Sequence, residues 1–340
     1  MSGGSKNGSK NGLENGKNNG SNNGLNNGSN KGSKNGDLIT GTIIKGVGGQ
    51  YTVYTTQGQK YICNARGLFR KNKEVPIVGD RVQIKSGGAE TSQTSKTLDK
   101  ASDKTASKTG TLMALMPRSN QLRRPRVANV DQVMVVLAAA QPELHFTMLD
   151  RYLIQAEHEG IDAAICINKI DLDDQIPRQI QKIYTPAGYP VFAVSVLDAQ
   201  NIEMLKDYLK DKTTVLAGPS GVGKTSIINC LTEGQTILKT GAVSERIGRG
   251  RHTTRHAEFI PIIPSGYIID TPGFSSLDPP EVPERELAAL FREFGPWLGK
   301  CRFRDCLHDS EPEQDCAVKG QVGQTITRER YERYLEFIKD

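Results

Sequence analysis

Residues 213–231 read TTVLAGPSGVGKTSIINCL, and this stretch is the strongest indication of the fold in the sequence. An apolar strand pattern leads into the phosphate-binding motif G-x-x-x-x-G-K-[ST] at residues 218–225, and a helix pattern follows. The glycines let backbone N–H groups turn toward phosphate oxygens, Lys224 neutralises the β- and γ-phosphates, and the Thr225 hydroxyl can ligate Mg²⁺. The predicted nucleotide contacts here are Gly218, Pro219, Ser220, Gly221, Val222, Gly223, Lys224, Thr225 and Ser226.

Two further motifs follow strand patterns elsewhere in the chain. In DTPG, the Asp270 carboxylate can hold Mg²⁺ through water and the Gly273 amide can bond a γ-phosphate. NKID follows the strand DAAICI, and its aspartate would select guanine, because adenine lacks the pair of donors that this carboxylate needs. The predicted base contacts are Asn168, Lys169, Ile170 and Asp171, with Ser195 and Val196 from a weaker signal at the end of PVFAVSV.

The order of these motifs indicates a circular permutation. Strand and helix patterns alternate from residue 130 to residue 231, which predicts a mainly parallel sheet with covered faces. NKID precedes the P-loop, and the P-loop precedes DTPG, so the motifs resemble those of guanine-nucleotide switch GTPases in a permuted order. The segment after DTPG then ends the nucleotide domain, where a switch can pull directly on whatever follows.

A cysteine-rich segment follows DTPG and has the pattern C-x4-C-x-H-x7-C. Three thiolates and one imidazole match a closed tetrahedral Zn²⁺ site, so we expect one structural zinc held by Cys301, Cys306, His308 and Cys316. Incidental or redox-active cysteines are the alternative. The other three cysteines lie in apparent strands and a helix, where buried thiols are usual, and they predict no disulfide framework: Cys63, Cys166 and Cys230.

The N-terminal third has a different character. Residues 38–84 contain short runs rich in β-branched and aromatic residues between glycine-containing turns, which predicts a small all-β sheet or barrel. A polar insertion at residues 86–110 precedes a last strand, TLMALM. In residues 1–36 a glycine recurs every fourth position from Gly8, so we expect a disordered, solubilising tail, with weak electrostatic contact to RNA as the alternative.

Composition excludes some classes of protein and says little about partners. The chain has 340 residues and a formal net charge of +6. Five lysines and one glutamate fall within residues 1–36, so four of the six positive charges belong to the tail. No apolar run is long enough to span a bilayer, and the N-terminus has no signal-peptide pattern, which predicts no membrane contact and a cytoplasmic location.

Together the barrel, the permuted nucleotide motifs and the Cys3His segment resemble the RsgA (YjeQ) family of small-ribosomal-subunit biogenesis GTPases. The strings RGLFR (66–70), GDRV (79–82) and PRSNQLRRP (117–125) resemble those of the family's OB-fold barrel. The resemblance implies a multidomain chain: the tail at 1–36, an OB-fold at 37–118 with its insertion at 86–110, a circularly permuted α/β P-loop GTPase domain at 119–279, and a helical zinc-binding module at 280–340. The tail and insertion depart from the family pattern.

The resemblance also implies a mobile switch at residues 247–259. Thr253 or Thr254 would close on Mg²⁺, and the sequence does not choose between them. Phe274 occupies the position where many GTPases have a water-orienting glutamine, so His252 is a candidate substitute, with a histidine facing RNA or phosphate as the alternative. Basic residues around the barrel are expected to contact rRNA, although a solvated basic face is the alternative on charge alone: Arg66, Arg70, Lys71, Arg118, Arg123 and Arg124.

The resulting interpretation is a monomeric GTPase that assists late maturation of the small ribosomal subunit. GTP with Mg²⁺ would order the switch and favour binding to rRNA, and hydrolysis to GDP and phosphate would favour release. Two rivals stay open. The first is a non-catalytic RNA-binding scaffold that merely holds nucleotide, which Phe274 suggests, and the second is a permuted GTPase that acts on another ribosomal RNA particle.

Overall fold

The computed structural model describes residues 38–67, 69, 74–87, 108–122, 126–233, 257–262, 264–270 and 282–339. Residues 1–36 lie outside this description, as does most of the predicted insertion at 86–110. Among the described helices, none combines the length and apolar character that crossing a membrane requires.

The N-terminal strands close into a five-stranded barrel in the order β1-β2-β3-β5-β4. The strands are β1 (Leu38–Val47), β2 (Gln50–Thr55), β3 (Lys60–Ala65), β4 (Arg81–Ser86) and β5 (Lys108–Leu115). β3 and β5 pair in parallel, and the other pairs are antiparallel. The register of β1 against β2 shifts between Ile43 and Lys45, and such a bulge bends a strand so that it can pair on both sides and close a barrel. The strand pattern predicted a small all-β sheet or barrel and the family resemblance implied an OB-fold; the closed, OB-like barrel is confirmed.

A six-stranded sheet forms the centre of the molecule, in the order β10-β9-β8-β11-β13-β12. Its strands are β8 (Gln132–Ala138), β9 (Asp162–Asn168), β10 (Val191–Ala193), β11 (Thr213–Ala217), β12 (Glu258–Pro261) and β13 (Tyr267–Asp270). Its helices are α1 (Phe146–His158), α2 (Gln175–Tyr184), α3 (Ile202–Leu209) and α4 (Lys224–Leu231). All neighbours pair in parallel except β12, which runs antiparallel at the edge.

Both faces of this sheet are covered, as the apolar strand patterns predict. Alternate residues of β8 enter two different cores: Val133, Val135 and Leu137 on one face, Met134, Val136 and Ala138 on the other. α1 packs on the first face through Leu149 and Leu153, and α4 packs on the second through Ile227 and Ile228. A strand buried on both sides needs apolar residues on both faces, which explains the unbroken apolar run VMVVLA after Gln132.

Gly79 lies where the barrel meets the nucleotide domain. Its φ is +92°, and a Cβ there would fall 2.0 Å from the Ala128 carbonyl oxygen and 2.8 Å from the Phe259 ring. The Asn129 amide donates to the Gly79 carbonyl at 2.8 Å. Only glycine fits this close approach, so the barrel contacts the edge strand β12 through backbone and ring atoms.

The next residue, Asp80, is fully buried and carries the ion pair of this junction. Its carboxylate accepts hydrogen bonds from Arg118 Nε at 2.6 Å, from Arg118 Nη2 at 2.9 Å and from the Ile77 amide at 2.8 Å. Arg118 also donates to the Val75 carbonyl. The short ribbon β6 (Gln121–Leu122) and β7 (Val127–Ala128) then leads the chain into the sheet.

The C-terminal module contains two α-helices and four short 3₁₀ turns. The helices are α5 (Glu284–Leu287) and α6 (Arg328–Phe337), and the turns are Ala288–Leu290, Arg292–Trp297, Glu313–Asp315 and Lys319–Gln321. Phe291, Phe294 and Tyr334 form its core together with Ile154 of α1. The helix expected at the chain's end is present, whereas the residues before it form turns around the cysteines.

A buried ion cluster holds this module to the nucleotide domain. Arg330 of α6 is fully buried and donates to Asp150 of α1 at 2.5 Å and to Glu293 at 2.6 Å. The Tyr184 hydroxyl donates to Asp150 at 2.8 Å, and Arg333 pairs with the second Asp150 oxygen at 2.6 Å. Two carboxylates balance two guanidinium groups, so the charges are paired throughout. The module is therefore held by α1 as well as by the chain that follows DTPG.

Arg118→Met leaves the buried Asp80 carboxylate without its charged partner, so we expect the free energy of unfolding to fall by about 3 kcal/mol. Arg178→Met is the matched control, because its ion pair with Asp174 has exposed fractions of 76% and 68% and should contribute about 0.5 kcal/mol or less. Urea denaturation of the two variants measures the difference. Equal losses of stability would show that the Asp80 pair does not stabilise the junction.

Candidate functional site

The P-loop connects the carboxyl end of β11 with the start of α4, at the centre of the sheet. Three of its glycines adopt left-handed backbone conformations, with φ of +129° at Gly218, +83° at Gly221 and +97° at Gly223. A Cβ on Gly218 would lie 2.1 Å from the Val136 carbonyl oxygen, so β8 packs directly against the loop. Lys224 Nζ donates to the carbonyls of Gly218 and Pro219, at 2.7 Å each. The Lys224 ammonium group therefore lies over the P-loop, where it is predicted to neutralise phosphate groups.

Asn168 joins the loop of the NKID motif to the P-loop. Its side-chain amide donates to the Val222 carbonyl at 2.9 Å, and its side-chain oxygen accepts from the Val196 amide at 3.3 Å. A Cβ on Gly223 would fall 2.3 Å from the Asn168 Nδ2 atom, so the glycine makes room for this bond. Residues from 168, 196 and 222 thus meet although they are far apart in the chain. The structure therefore brings together three of the residues predicted to contact the nucleotide: Asn168, Val196 and Val222.

Asp171 lies at the exposed rim of the same loop. Ser195, which is buried, donates from Oγ to Asp171 Oδ1 at 2.6 Å and accepts from the Asp198 amide at 3.2 Å. The hydroxyl thereby orients the carboxylate, while the second carboxylate oxygen makes no hydrogen bond among the described residues. A fixed, outward-facing carboxylate can accept hydrogen bonds from a purine edge that carries adjacent N–H donors.

The loop after β8 also contributes to this edge, and the sequence motifs do not mark it. Lys169, whose φ is +63°, donates from Nζ to the Gln141 carbonyl, and the Pro142 ring lies 3.7 Å from the Cβ position of Gly221. The sequence could have indicated this loop through topology. AAAQP begins at the last residue of β8, the strand beside β11, and parallel strands end at one edge of a sheet.

Several predicted residues of the phosphate end lie outside the described part of the chain. Thr225 and Ser226 lie in the first turn of α4, and Asp270 is the last residue of β13, the neighbour of β11. The backbone position of Asp270 therefore agrees with a residue at the carboxyl end of a strand beside the P-loop. The predicted switch and catalytic residues, His252, Thr253 and Thr254, lie outside the described residues. So do the predicted γ-phosphate contact Gly273 and its neighbour Phe274.

Two of the residues predicted to contact RNA are described. Arg66 is exposed after β3. Arg118 is engaged within the protein, because its donors bond to Asp80, to the Val75 carbonyl and to Gln121 Oε1 at 2.5 Å. RNA contact by these two stays a prediction. The remaining four residues lie outside the described part: Arg70, Lys71, Arg123 and Arg124.

The four zinc candidates converge in the C-terminal module. The ligand atoms of Cys301, Cys306, His308 and Cys316 all lie within 4.8 Å of one another. His308 Nδ1 lies 3.5, 3.3 and 3.3 Å from the sulfur atoms of Cys301, Cys306 and Cys316, and the Cys301 and Cys316 sulfur atoms are 4.0 Å apart. Zinc–sulfur bonds of about 2.3 Å give tetrahedral edges of about 3.8 Å, so the donor set fits a zinc ion.

The surroundings of this cluster favour metal binding over thiol chemistry. Burial lowers the pKa of His308, which keeps the imidazole neutral, as a metal ligand must be. Backbone amides of Ala317 and Lys319 point at the sulfur atoms of Cys301 and Cys316, at 3.3 and 3.4 Å. The Tyr331 hydroxyl donates to the His308 carbonyl at 2.8 Å, which fixes the ligand loop.

Of the three remaining cysteines, two are buried as the sequence predicts, whereas Cys230 is only half-buried. Cys63 and Cys166 are buried, and burial raises the pKa of each thiol to about 12. All six cysteines of the chain are described, and none forms a disulfide.

The fold and the site define a circularly permuted P-loop GTPase fold with a barrel before it and a Cys3His module after it. The family model described as RsgA GTPase matches residues 115–280, and that described as RsgA N-terminal domain matches residues 40–93. The chain belongs to the RsgA family.

Relatives and solved structures agree with this assignment. The small ribosomal subunit biogenesis GTPase RsgA of Caldanaerobacter subterraneus subsp. tengcongensis is 41% identical over 305 residues, covering 89% of this chain and 95% of the relative. That of Agathobacter rectalis is 41% identical over 308 residues, with 87% and 96% covered. The crystal structure of YjeQ from Thermotoga maritima aligns with a TM-score of 0.68 at 32% identity, covering 89% of this chain and 98% of that one. YloQ, described as a circularly permuted GTPase, aligns with a TM-score of 0.67 at 34% identity, covering 89% and 94%.

Gly223→Ala places a Cβ against Asn168 Nδ2, so we expect the bond to Val222 to break and affinity for GDP to fall roughly 10- to 100-fold. Titration with a fluorescent GDP derivative measures the change. Gly160→Ala is the matched control, because Gly160 also has a left-handed φ, +64°, but nothing lies within 4 Å of its Cβ position. Equal GDP affinity in the two variants would contradict a coupling between the loops.

Proposed function

We propose that the protein binds and hydrolyses GTP at the edge of the sheet where β9, β10 and β11 end. The observation that carries this proposal is the Asn168 bridge, which holds a base-reading loop and a phosphate-binding loop in one site. Backbone N–H groups of the P-loop would surround the phosphates, and Lys224 would exchange its two carbonyl partners for phosphate oxygens. Family membership supports the same chemistry.

The guanine preference is assigned to Asp171. Ser195 holds one carboxylate oxygen, and the other is directed outward, where it can accept from N1–H and the N2 amino group of guanine. Adenine offers no such donors and would leave a charged group unpaired, which is the kind of mismatch that discriminates strongly between substrates. Lys169, Ile170 and Val196 would line the base.

Magnesium would be held at the phosphate end by Thr225 and Asp270. Both residues come from neighbouring elements, α4 and the end of β13, and hydroxyl and carboxylate oxygens are ligands that Mg²⁺ accepts. When bound, Mg²⁺ supplies charge neutralisation between the β- and γ-phosphates. Gly273 would bond the γ-phosphate, Thr253 or Thr254 would complete the switch, and His252 would orient the attacking water.

The cellular role proposed for this chain is maturation of the small ribosomal subunit. The relatives named above are small ribosomal subunit biogenesis GTPases and are about two-fifths identical over most of both chains. The partner would be the rRNA of that subunit, bound by a monomeric, cytoplasmic protein. The basic residues that would contact it are those around the barrel: Arg66, Arg70, Lys71, Arg118, Arg123 and Arg124. The division at residues 37–118, 119–279 and 280–340 would assign RNA contact, hydrolysis and zinc binding to separate domains.

One structural zinc per chain is proposed for the Cys3His cluster. All four positions of a tetrahedral ion would be occupied by protein, which leaves none for water or substrate. The ion would tie together loops that contribute little regular structure of their own, in a module whose helices are short.

Asp171→Asn replaces a carboxylate, which only accepts hydrogen bonds, with an amide that also donates them. GTP turnover should therefore fall by a factor of roughly 100 or more. XTP, which carries a carbonyl at C2, should become a substrate. Phosphate release with GTP, ATP and XTP measures the preference. Asp174→Asn is the matched control, since Asp174 lies near the same loop and pairs only with Arg178 among the described residues.

Lys224→Ala should abolish turnover altogether. Equal ATP and GTP turnover by the unaltered protein would overturn the guanine assignment. If the unaltered protein binds GTP but hydrolyses none, with or without small subunits, the non-catalytic scaffold replaces the GTPase.

Metal analysis of freshly purified protein should find about one zinc per chain. Cys316→Ser removes one of the four ligands and should lower both the zinc content and the thermal stability of the C-terminal module. Cys230→Ser is the control, because Cys230 lies outside the cluster and should leave the zinc content unchanged. A zinc content far below one in the unaltered protein would remove the site.

A further inference from the structure

The first turn of α1 is held by an arginine of the C-terminal module. Arg333 of α6 forms an ion pair with Asp150, with Nε 2.6 Å from Oδ2, and its guanidinium carbon lies 4.8 Å from the centre of the Phe146 ring. α1 begins at Phe146 and Asp150 lies one turn later, so one side chain spans that turn. Asp150 is fully buried and the Arg333 side chain is 15% exposed, so solvent screens the pair only weakly.

The loop that precedes α1 lies against the nucleotide site. We call residues 139–145 the β8–α1 loop, because they join the end of β8 to the start of α1. The Gln141 carbonyl accepts a hydrogen bond from the Lys169 ammonium group of NKID, and the Pro142 ring lies 3.7 Å from the Cβ position of Gly221 in the P-loop. This one loop therefore contacts both of the loops that are proposed to bind the nucleotide.

The β8–α1 loop is fixed at both of its ends. At its start, the Ala139 amide donates to the Asn168 carbonyl at 2.8 Å. At its end, the His145 carbonyl accepts from the amides of Met148 and Leu149, at 3.1 and 3.2 Å, which are the first hydrogen bonds of α1. Because the second anchor is the start of the helix, any movement of that turn moves the loop as well.

A second arginine of the C-terminal module makes the same kind of contact at the other end of α1. Arg292 donates from Nε to Glu157 Oε1 at 2.8 Å, and its guanidinium carbon lies 4.7 Å from the centre of the Tyr189 ring. Glu157 follows Phe146 by eleven residues, which places it about 16 Å further along the helix axis. The two arginines therefore differ chiefly in their distance from the nucleotide site.

We propose that Arg333 is a positioning residue for nucleotide binding, which acts by fixing the first turn of α1 and, through it, the β8–α1 loop. This inference rests on the proposed function and gives the C-terminal module control over nucleotide affinity by a route other than the chain after DTPG. A loop that is already in place when the nucleotide arrives costs less conformational freedom on binding. Coupling of binding free energies is reciprocal, so bound nucleotide tightens the docking of α6 in return.

Titration of the full-length protein with a fluorescent GDP derivative tests the proposal. Arg333→Met should raise the Kd for GDP by roughly 5- to 20-fold. Arg333→Lys keeps a positive charge beside Asp150 and should restore most of the affinity. Phe146→Leu removes the ring contact alone and should give a smaller loss, which supplies a second measurement if Arg333→Met does not fold. Arg292→Met is the matched control and should leave the Kd unchanged.

GTP turnover separates positioning from simple stabilisation of the fold. Arg333→Met should raise KM by about the same factor as the Kd for GDP and leave kcat unchanged, because Arg333 contacts α1 and not the P-loop. An arginine that only stabilised the fold would, when replaced, reduce the fraction of active protein. The apparent kcat would then fall, while KM and the GDP affinity would stay the same.

Hydrogen exchange of the α6 amides measures the reciprocal effect. Saturating GDP should slow their exchange in the unaltered protein and in Arg292→Met, and should have no such effect in Arg333→Met. Equal GDP affinity in Arg333→Met and Arg292→Met overturns the inference, as does exchange in α6 that GDP leaves unchanged. These results would leave the proposed function in place, whereas an unaltered protein that binds no guanine nucleotide would reject both.

Discussion

The nucleotide site depends on the side-chain amide of Asn168. Its donor bonds to the Val222 carbonyl and its acceptor receives the Val196 amide, so one planar group joins three loops. Gly223 is required beside it because a larger residue would occupy the space of its nitrogen atom. In a permuted chain the NKID loop precedes the P-loop, and this pair of hydrogen bonds holds the two loops together.

The two flanking parts are attached to the nucleotide domain by different means. The barrel contacts β12 at Gly79, and β12 lies at the C-terminal end of the predicted switch. The ion pair between the buried Asp80 and Arg118 stabilises this junction. The C-terminal module is attached to α1 through Arg330 and Asp150. The C-terminal module is therefore held by the Arg330–Asp150 contact as well as by the chain after DTPG. A conformational change that nucleotide causes after DTPG would have to move the module together with α1, or break this buried ion pair.

Local sequence patterns predict the helices, the strands and the residues of the nucleotide site. They do not predict ion pairs between residues that are far apart in the chain. TTVLAGPSGVGKT carries its strand, loop and helix within a few residues, and the meeting of NKID with the P-loop follows because neighbouring parallel strands end at one edge. No periodicity links Asp150 with Arg330, which are 180 positions apart, or Asp80 with Arg118. Arg118 illustrates this limit: the basic string that contains it does not reveal that its guanidinium pairs with the buried Asp80 carboxylate, and its contact with RNA stays a prediction.

Cosedimentation with purified ribosomal subunits tests the proposed role in small-subunit maturation, because it examines the partner and the nucleotide dependence in one measurement. We expect the protein to pellet with small subunits in the presence of a non-hydrolysable GTP analogue, to pellet less with GDP, and not to pellet with large subunits. Equal binding to both subunits, or binding to small subunits that is indifferent to the nucleotide, would contradict a GTP-controlled role in small-subunit maturation.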